Sequence, residues 1–293
     1  MEKRLVGRGL LAGGIAGLIA FIFARIFAEP VIQRAIDYES ARDDAMDALN
    51  KAAGLPVDPA GPDIFSRHVQ RNVGIGVGMI AFGIAMGAIV AVVFALCLGR
   101  TGKVRPKPLA LLVAAAGYVT VYLVPFAKYP ANPPAIGHEE TIRTRASFFL
   151  TMMLTSVVCA VIAVWLGRRL ALRLGTWNAS LVAGIGYLAV MGIVMALLPD
   201  LGRLPANVAE YGSHATETPL PLTDKNGTIV FPGFPADVLA QFRVYSMFAQ
   251  LLLWGVIGIV FAPLAEKVVR NGTHRAEDSR PLGEPRDSIP QPV

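Results

Sequence analysis

Apolar runs long enough to cross a bilayer constrain this chain more than any other feature. A spanning helix needs about 20 apolar residues, and six runs approach that length: 5–27, 73–98, 109–126, 148–166, 181–198 and 242–264. The backbone of such a run must satisfy its own hydrogen bonds in lipid, so these segments are read as helices. The expected fold class is therefore all-α: a polytopic integral membrane protein of about six transmembrane helices joined by long outward-facing loops. Composition agrees, with 54% hydrophobic and 16% charged residues, against about 25% charged in soluble domains.

The first run follows "MEKR" and has the outline of a signal peptide. It is long, however, and Ile26 and Phe27 stand where a cleavage site wants small residues. It is read as an uncleaved helix.

Lysine and arginine give the orientation. They gather at the N-terminus (Lys3, Arg4, Arg8), between runs two and three (Arg100, Lys103, Arg105, Lys107), between runs four and five (Arg168, Arg169, Arg173), and after run six (Lys267, Arg270, Arg275, Arg280, Arg286). Six crossings place all four groups on one side, so both termini are expected in the cytoplasm. A membrane domain at 1–270 and a disordered cytoplasmic tail at 271–293 follow. The sequence pI near 9.5 then reflects topology, and no nucleic-acid partner is expected.

Segments 28–72, 127–147 and 199–241 fall on the outer side. The first carries an amphipathic helix from about Val31 to Ala53, stopped by Gly54 and Pro56. Arg25 and Glu29 stand four residues apart, the spacing of an ion pair on one helix face. Segment 199–241, rich in proline and glycine, reads as irregular. Inside the helices, Gly9, Gly13 and Gly17, then Gly74, Gly78, Gly83 and Gly87, form rows that let backbones approach closely in lipid. No internal repeat is evident.

Chemistry-bearing motifs are sparse. There is no phosphate-binding G-x-x-x-x-G-K-[ST], no H-E-x-x-H and no G-x-S-x-G, so no enzyme activity is expected. Cys97 and Cys159 lie inside apolar runs and read as packing residues. Polar residues collect at the outer boundary instead. "SRHVQRNVG" (66–74) brings Arg67, His68, Gln70 and Arg71 to the start of run two. "VPFAKYPANPPAIGHEETIRTR" (124–145) has four prolines, which stiffen a loop carrying His138, Glu139 and Glu140 into the next helix. Imidazole and carboxylate together suit a first-row divalent metal. The candidate metal residues are Glu29, His68, His138, Glu139, Glu140 and His214. The alternative for each is a solvated or interfacial polar residue.

The run "PFAKYPANPPAIG…ETIRTR", with "EPVIQRAIDYE", "SRHVQRNVG" and "FPADVLAQFR…W", resembles the CbtA family of bacterial membrane proteins, proposed cobalt-transporter subunits. The resemblance covers about Arg4 to Leu264. It falls on Glu29, Pro30, Arg67, Gln70, Lys128, Tyr129, Pro130, Asn132, Pro133, Pro134, Thr141, Arg143, Pro235, Arg243 and Trp254. It implies multi-pass residence in the inner membrane and cobalt uptake, with the cobalt ion as substrate and no firmly bound cofactor. The implied partners are membrane lipid and a small single-span CbtB-like subunit; homo-oligomerisation stays open. Five spans are often described for the family, against six here. A non-transporting scaffold for another permease is the competing reading, because the middles of the spans are nearly free of acids.

Overall fold

A computed structural model describes residues 2–57, 66–102, 104–134, 136–137, 139–212 and 217–278. The chain opens with α1 (Glu2–Phe23), a π-helical turn (Ala24–Ala28) and α2 (Glu29–Ala53), which together form one continuous 52-residue helix. Gly54 ends it at φ 71, its N–H reaching the Asn50 and Lys51 carbonyls. That left-handed stop is a position glycine takes without strain. After the gap, α3 (Arg67–Val69), a second π turn (Gln70–Gly74) and α4 (Ile75–Cys97) are again continuous. Then come α5 (Pro106–Gly117), with proline in its first turn where a missing N–H costs nothing, a third π turn (Tyr118–Leu123) and α6 (Val124–Lys128).

Next is α7 (Ile142–Leu197), which is broken at Gly175 (φ 74, ψ 162). Its two arms, 142–174 and 176–197, fold back on each other. Met152 packs in one cluster with Met191. The Ser156 and Tyr187 hydroxyls hydrogen-bond at 2.7 Å, and a Cβ on Gly167 would touch the Ala183 methyl at 3.2 Å. Those pairings converge toward Gly175, as in an antiparallel hairpin.

Segment 199–241 is more ordered than its composition predicts. It holds a 3-10 turn (Leu201–Arg203), α8 (Pro205–Tyr211) and an antiparallel pair, β1 (Leu222–Thr223) with β2 (Ile229–Phe231). Asp224 caps the turn, accepting from the backbone N–H groups of Asn226 and Thr228 at 2.8 and 2.9 Å. These bonds hold its carboxyl below the ordinary carboxylate range, the Thr228 N–H first. The last helix, α9 (Ala236–Asp278), continues beyond Arg270, where the tail was expected to begin. Positions 279–293 lie outside the described residues.

Over its described residues the chain is thus an all-α membrane protein with one small strand pair. Among those residues, five helices are long and apolar enough to cross a membrane: 2–53, 67–97, 106–128, the α7 segment and 236–271. The core forms where α1, α4, α5 and α9 meet, around Leu5, Phe94, Ile257 and Phe261. The expected glycine rows are the seam between α1 and α4. A Cβ on Gly13 would sit 2.1 Å from the Gly83 carbonyl oxygen, and one on Gly87 would sit 2.1 Å from that of Gly9. No side chain fits at those distances, so the backbones touch directly. Gly78 lies outside the seam, with nothing within 4 Å of its would-be Cβ.

Candidate functional site

One end of the bundle gathers the ends of α1, α6 and the second arm of α7 with the starts of α3, α7 and α9. Nearly every polar residue that carries the family resemblance is bonded there. The first group surrounds Glu29, which is 4% exposed. The Arg67 guanidinium donates to Glu29 Oε1 at 2.7 Å and to Gln33 Oε1 at 3.2 Å. The expected Arg25–Glu29 pair does not form. Arg25 instead donates to Asn72 Oδ1 at 3.0 Å. The cause is the π turn at Ala24–Ala28: its wider winding takes residues four apart out of line. The second carboxylate oxygen, Glu29 Oε2, is buried with no hydrogen-bond partner. His68, next in sequence to Arg67, is exposed on α3.

The second group centres on Glu217, which is 1% exposed. Its Oε1 accepts from Asn207 Nδ2 at 2.8 Å and from the Thr141 hydroxyl at 3.3 Å. Its Oε2 lies 3.5 Å from both Asn132 Nδ2 and Arg145 Nη1. A carboxylate taken out of water must be neutralised and hydrogen-bonded to persist, and these donors meet that need. The four donors come from the "KYPANPP" loop, the start of α7, and α8. Glu217 therefore ties its own connection, 199–241, to the 127–147 connection in one cap. Gly137, at φ 104, leaves room for the Arg145 guanidinium, which a Cβ there would meet at 2.5 Å.

The cap continues outward from this hub. Arg243 on α9 donates to Asn132 Oδ1 at 3.0 Å and to the Ala131 carbonyl at 3.3 Å. Lys128 pairs with Asp200 at 2.8 Å. The Tyr129 hydroxyl donates to the Pro199 carbonyl at 3.0 Å while its ring stacks on Phe148. Burial pushes the Tyr129 phenol up, and the Asp200 charge adds to the shift, so it stays a donor at neutral pH. Pro133 is fully buried, whereas Pro134 and Arg143 are exposed and Pro130 is half-buried. Trp254 serves the core instead of the cap: its ring fills the space a Cβ on Gly117 would need, at 2.2 Å.

Of the candidate metal residues, Glu29 and His68 lie at this end on separate helices. Glu139 and Glu140 fall on a 3-10 turn (Glu139–Thr141) leading into α7. His138 and His214 lie outside the described residues. Among the described residues, no three His, Cys, Asp or Glu side chains come together as a metal site. No motif in the sequence marks Glu217 as the hub; segment 199–241 reads there only as irregular.

The family model described as "probable cobalt transporter subunit (CbtA)" matches residues 2–266. This chain belongs to the CbtA family. No curated protein and no solved structure matches it. Membership makes the chain a multi-pass membrane protein of a cobalt-transporter family, and the term subunit implies a partner protein in a complex. The residues of the distinctive "KYPANPP" run, Lys128, Tyr129 and Asn132, are those whose side chains bond the CbtA cap together.

Proposed function

We propose that this CbtA chain is the membrane subunit of a cobalt-uptake system in the bacterial inner membrane, working with a small CbtB-like partner. It spans six times, with both termini cytoplasmic and the polar cap outside. The fold-back at Gly175 supports the sixth crossing. The arginine and lysine clusters at the opposite end of the bundle support the orientation.

The observation that carries the transport reading is Glu29: a buried carboxylate at the mouth of the first span, with one oxygen bonded to Arg67 and the other unpartnered. An arriving divalent ion meets His68, Glu139 and Glu140 near the cap, then competes with Arg67 for Glu29. The open Oε2 can take the ion while Oε1 stays on Arg67, but the two positive charges repel, so binding is tighter when Arg67 swings aside. The partner completes the coordination sphere. Radiolabelled cobalt uptake in cells carrying both subunits tests this. Glu29→Gln is expected to lower uptake about tenfold, with protein level unchanged. Uptake at the unsubstituted level sinks the role of Glu29, and unchanged uptake on deleting the whole gene sinks the transport reading.

The scaffold reading draws support from the two buried carboxylates of the cap, Glu29 and Glu217, both of which are already matched with arginines. It predicts that a separate permease moves cobalt in liposomes without this chain. The permease reading predicts no flux until the chain is added.

A further inference from the structure

The turn of the α7 hairpin, at the end of the bundle away from the cap, has so far served only to place the chain in the membrane. The whole 58-residue stretch from 142 to 199 contains no acid, yet it carries Arg168, Arg169 and Arg173 around the break at Gly175. All three arginines are exposed, and none appears in an ion pair among the described residues. Residues four apart share a helix face, so Trp165, Arg169 and Arg173 form one stripe. The Arg169 guanidinium stacks on the Trp165 ring, 4.6 Å from its centroid. That contact holds the guanidinium in place and leaves its N–H edge open. Large apolar side chains flank the stripe with no protein over them: Leu172 is 90% exposed and Trp177 is 76% exposed.

One stacked guanidinium with two exposed ones near it, beside bare leucine and tryptophan, matches one kind of occupant, a molecule with an anionic phosphate head and an acyl body. Tryptophan sits well at the boundary between headgroups and acyl chains, and guanidinium geometry suits phosphate oxygens. We propose that the turn at 165–177 is a binding site for the headgroup of an anionic phospholipid. The phosphate lies against Arg168, Arg169 and Arg173, while Leu172 and Trp177 enter the acyl boundary. The site rests on the multi-pass reading of the chain and is independent of what the chain transports.

The test needs no cobalt. The full-length protein is extracted into detergent with phosphatidylglycerol or phosphatidylcholine, and retained lipid is counted by native mass spectrometry. Phosphatidylglycerol is expected to be retained at least tenfold more than phosphatidylcholine, since each surface arginine contributes about fivefold. Replacing Arg168, Arg169 and Arg173 with glutamine abolishes the preference, and replacing them with lysine restores most of it. Equal retention of the two lipids overturns the proposal. So does an undiminished preference in the glutamine variant, or full displacement of the lipid by millimolar inorganic phosphate. If the arginines are instead needed only to copurify a partner protein, whichever lipid is present, the surface is a protein contact and the proposal fails.

Discussion

Helices α1 and α7 are both apolar and both long enough to cross a membrane, yet they are held by different means. About 28% of the most apolar stretch of the α1–α2 helix is buried inside the chain, against 6% for α7. α1 lies in a backbone-to-backbone seam with α4 and also packs on α9. Among the described residues, the α7 hairpin meets the rest of the chain mainly toward its cap end, around Val119, Val124 and Tyr129. Lipid tails are as apolar as leucine, so burial gives no hydrophobic drive between membrane helices, and close packing must hold them. The α1–α4 pair meets that condition through glycine. The hairpin relies on a few contacts between its arms and on the polar cap at its base.

The largest effect that could break this contrast comes from the seam. Gly13→Leu, with backbone at 2.1 Å from its Cβ, is expected to cost at least about 3 kcal/mol, read as loss of a monodisperse, thermally cooperative species in detergent. Gly192→Leu on the hairpin, with nothing within 4 Å, should stay within about 0.5 kcal/mol. If the two variants behave alike, the seam and the hairpin are not held differently.

Glu217 comes next, because it anchors the base of the hairpin through Thr141 and Arg145. Glu217→Ala removes one side of a buried pair and is expected to cost about 3–5 kcal/mol. Faster proteolysis in the 199–235 loop should accompany it. A wild-type cleavage rate would mean that the cap is held by other bonds.

Smaller is the Ser156–Tyr187 bond within the hairpin. A double-mutant cycle with Ser156→Ala and Tyr187→Phe should give a coupling of about 0.6 kcal/mol. A value near zero would leave the arms joined by packing alone. The smallest effect lies at Asp224, in the strand pair. Its folded pKa is depressed, so its contribution is complete above the unfolded carboxylate value of about 4 and is lost as pH falls through the folded value. Protection factors for amide exchange at Ile229 and Val230, corrected for the intrinsic rate at each pH, should therefore fall at acid pH, and Asp224→Asn should remove most of that dependence.

Much of the helical framework could be read from the chain itself. Length and apolarity mark each span, and Gly54 marks the end of α2 where it was expected. The glycine rows announced a close approach, but nothing in a row names its partner or separates Gly13 in the seam from Gly78 outside it. The Arg25–Glu29 pairing failed because a π turn carries no spacing signature of its own. The order in 199–241 had one usable signal, "DKNG" at 224–227, the kind of turn that joins two strands. Glu217 had none. A carboxylate on a loop looks the same in sequence whether water or four donors surround it, and only the fold that brings Asn132, Thr141, Arg145 and Asn207 together distinguishes the two.

The uninterrupted helix from Glu2 to Ala53 has a mechanical consequence. At 1.5 Å per residue it is about 78 Å long, whereas a hydrocarbon layer is about 30 Å thick. Tyr38 is the last buried residue along it. The remaining length, about 20 Å, continues past Tyr38 as one rigid boom. Because the rotation is not absorbed by a loop, a small change in tilt where the boom leaves the bilayer becomes a larger sideways sweep at Ala53. Anything that grips that tip therefore holds a long-handled lever on the most tightly packed seam in the protein.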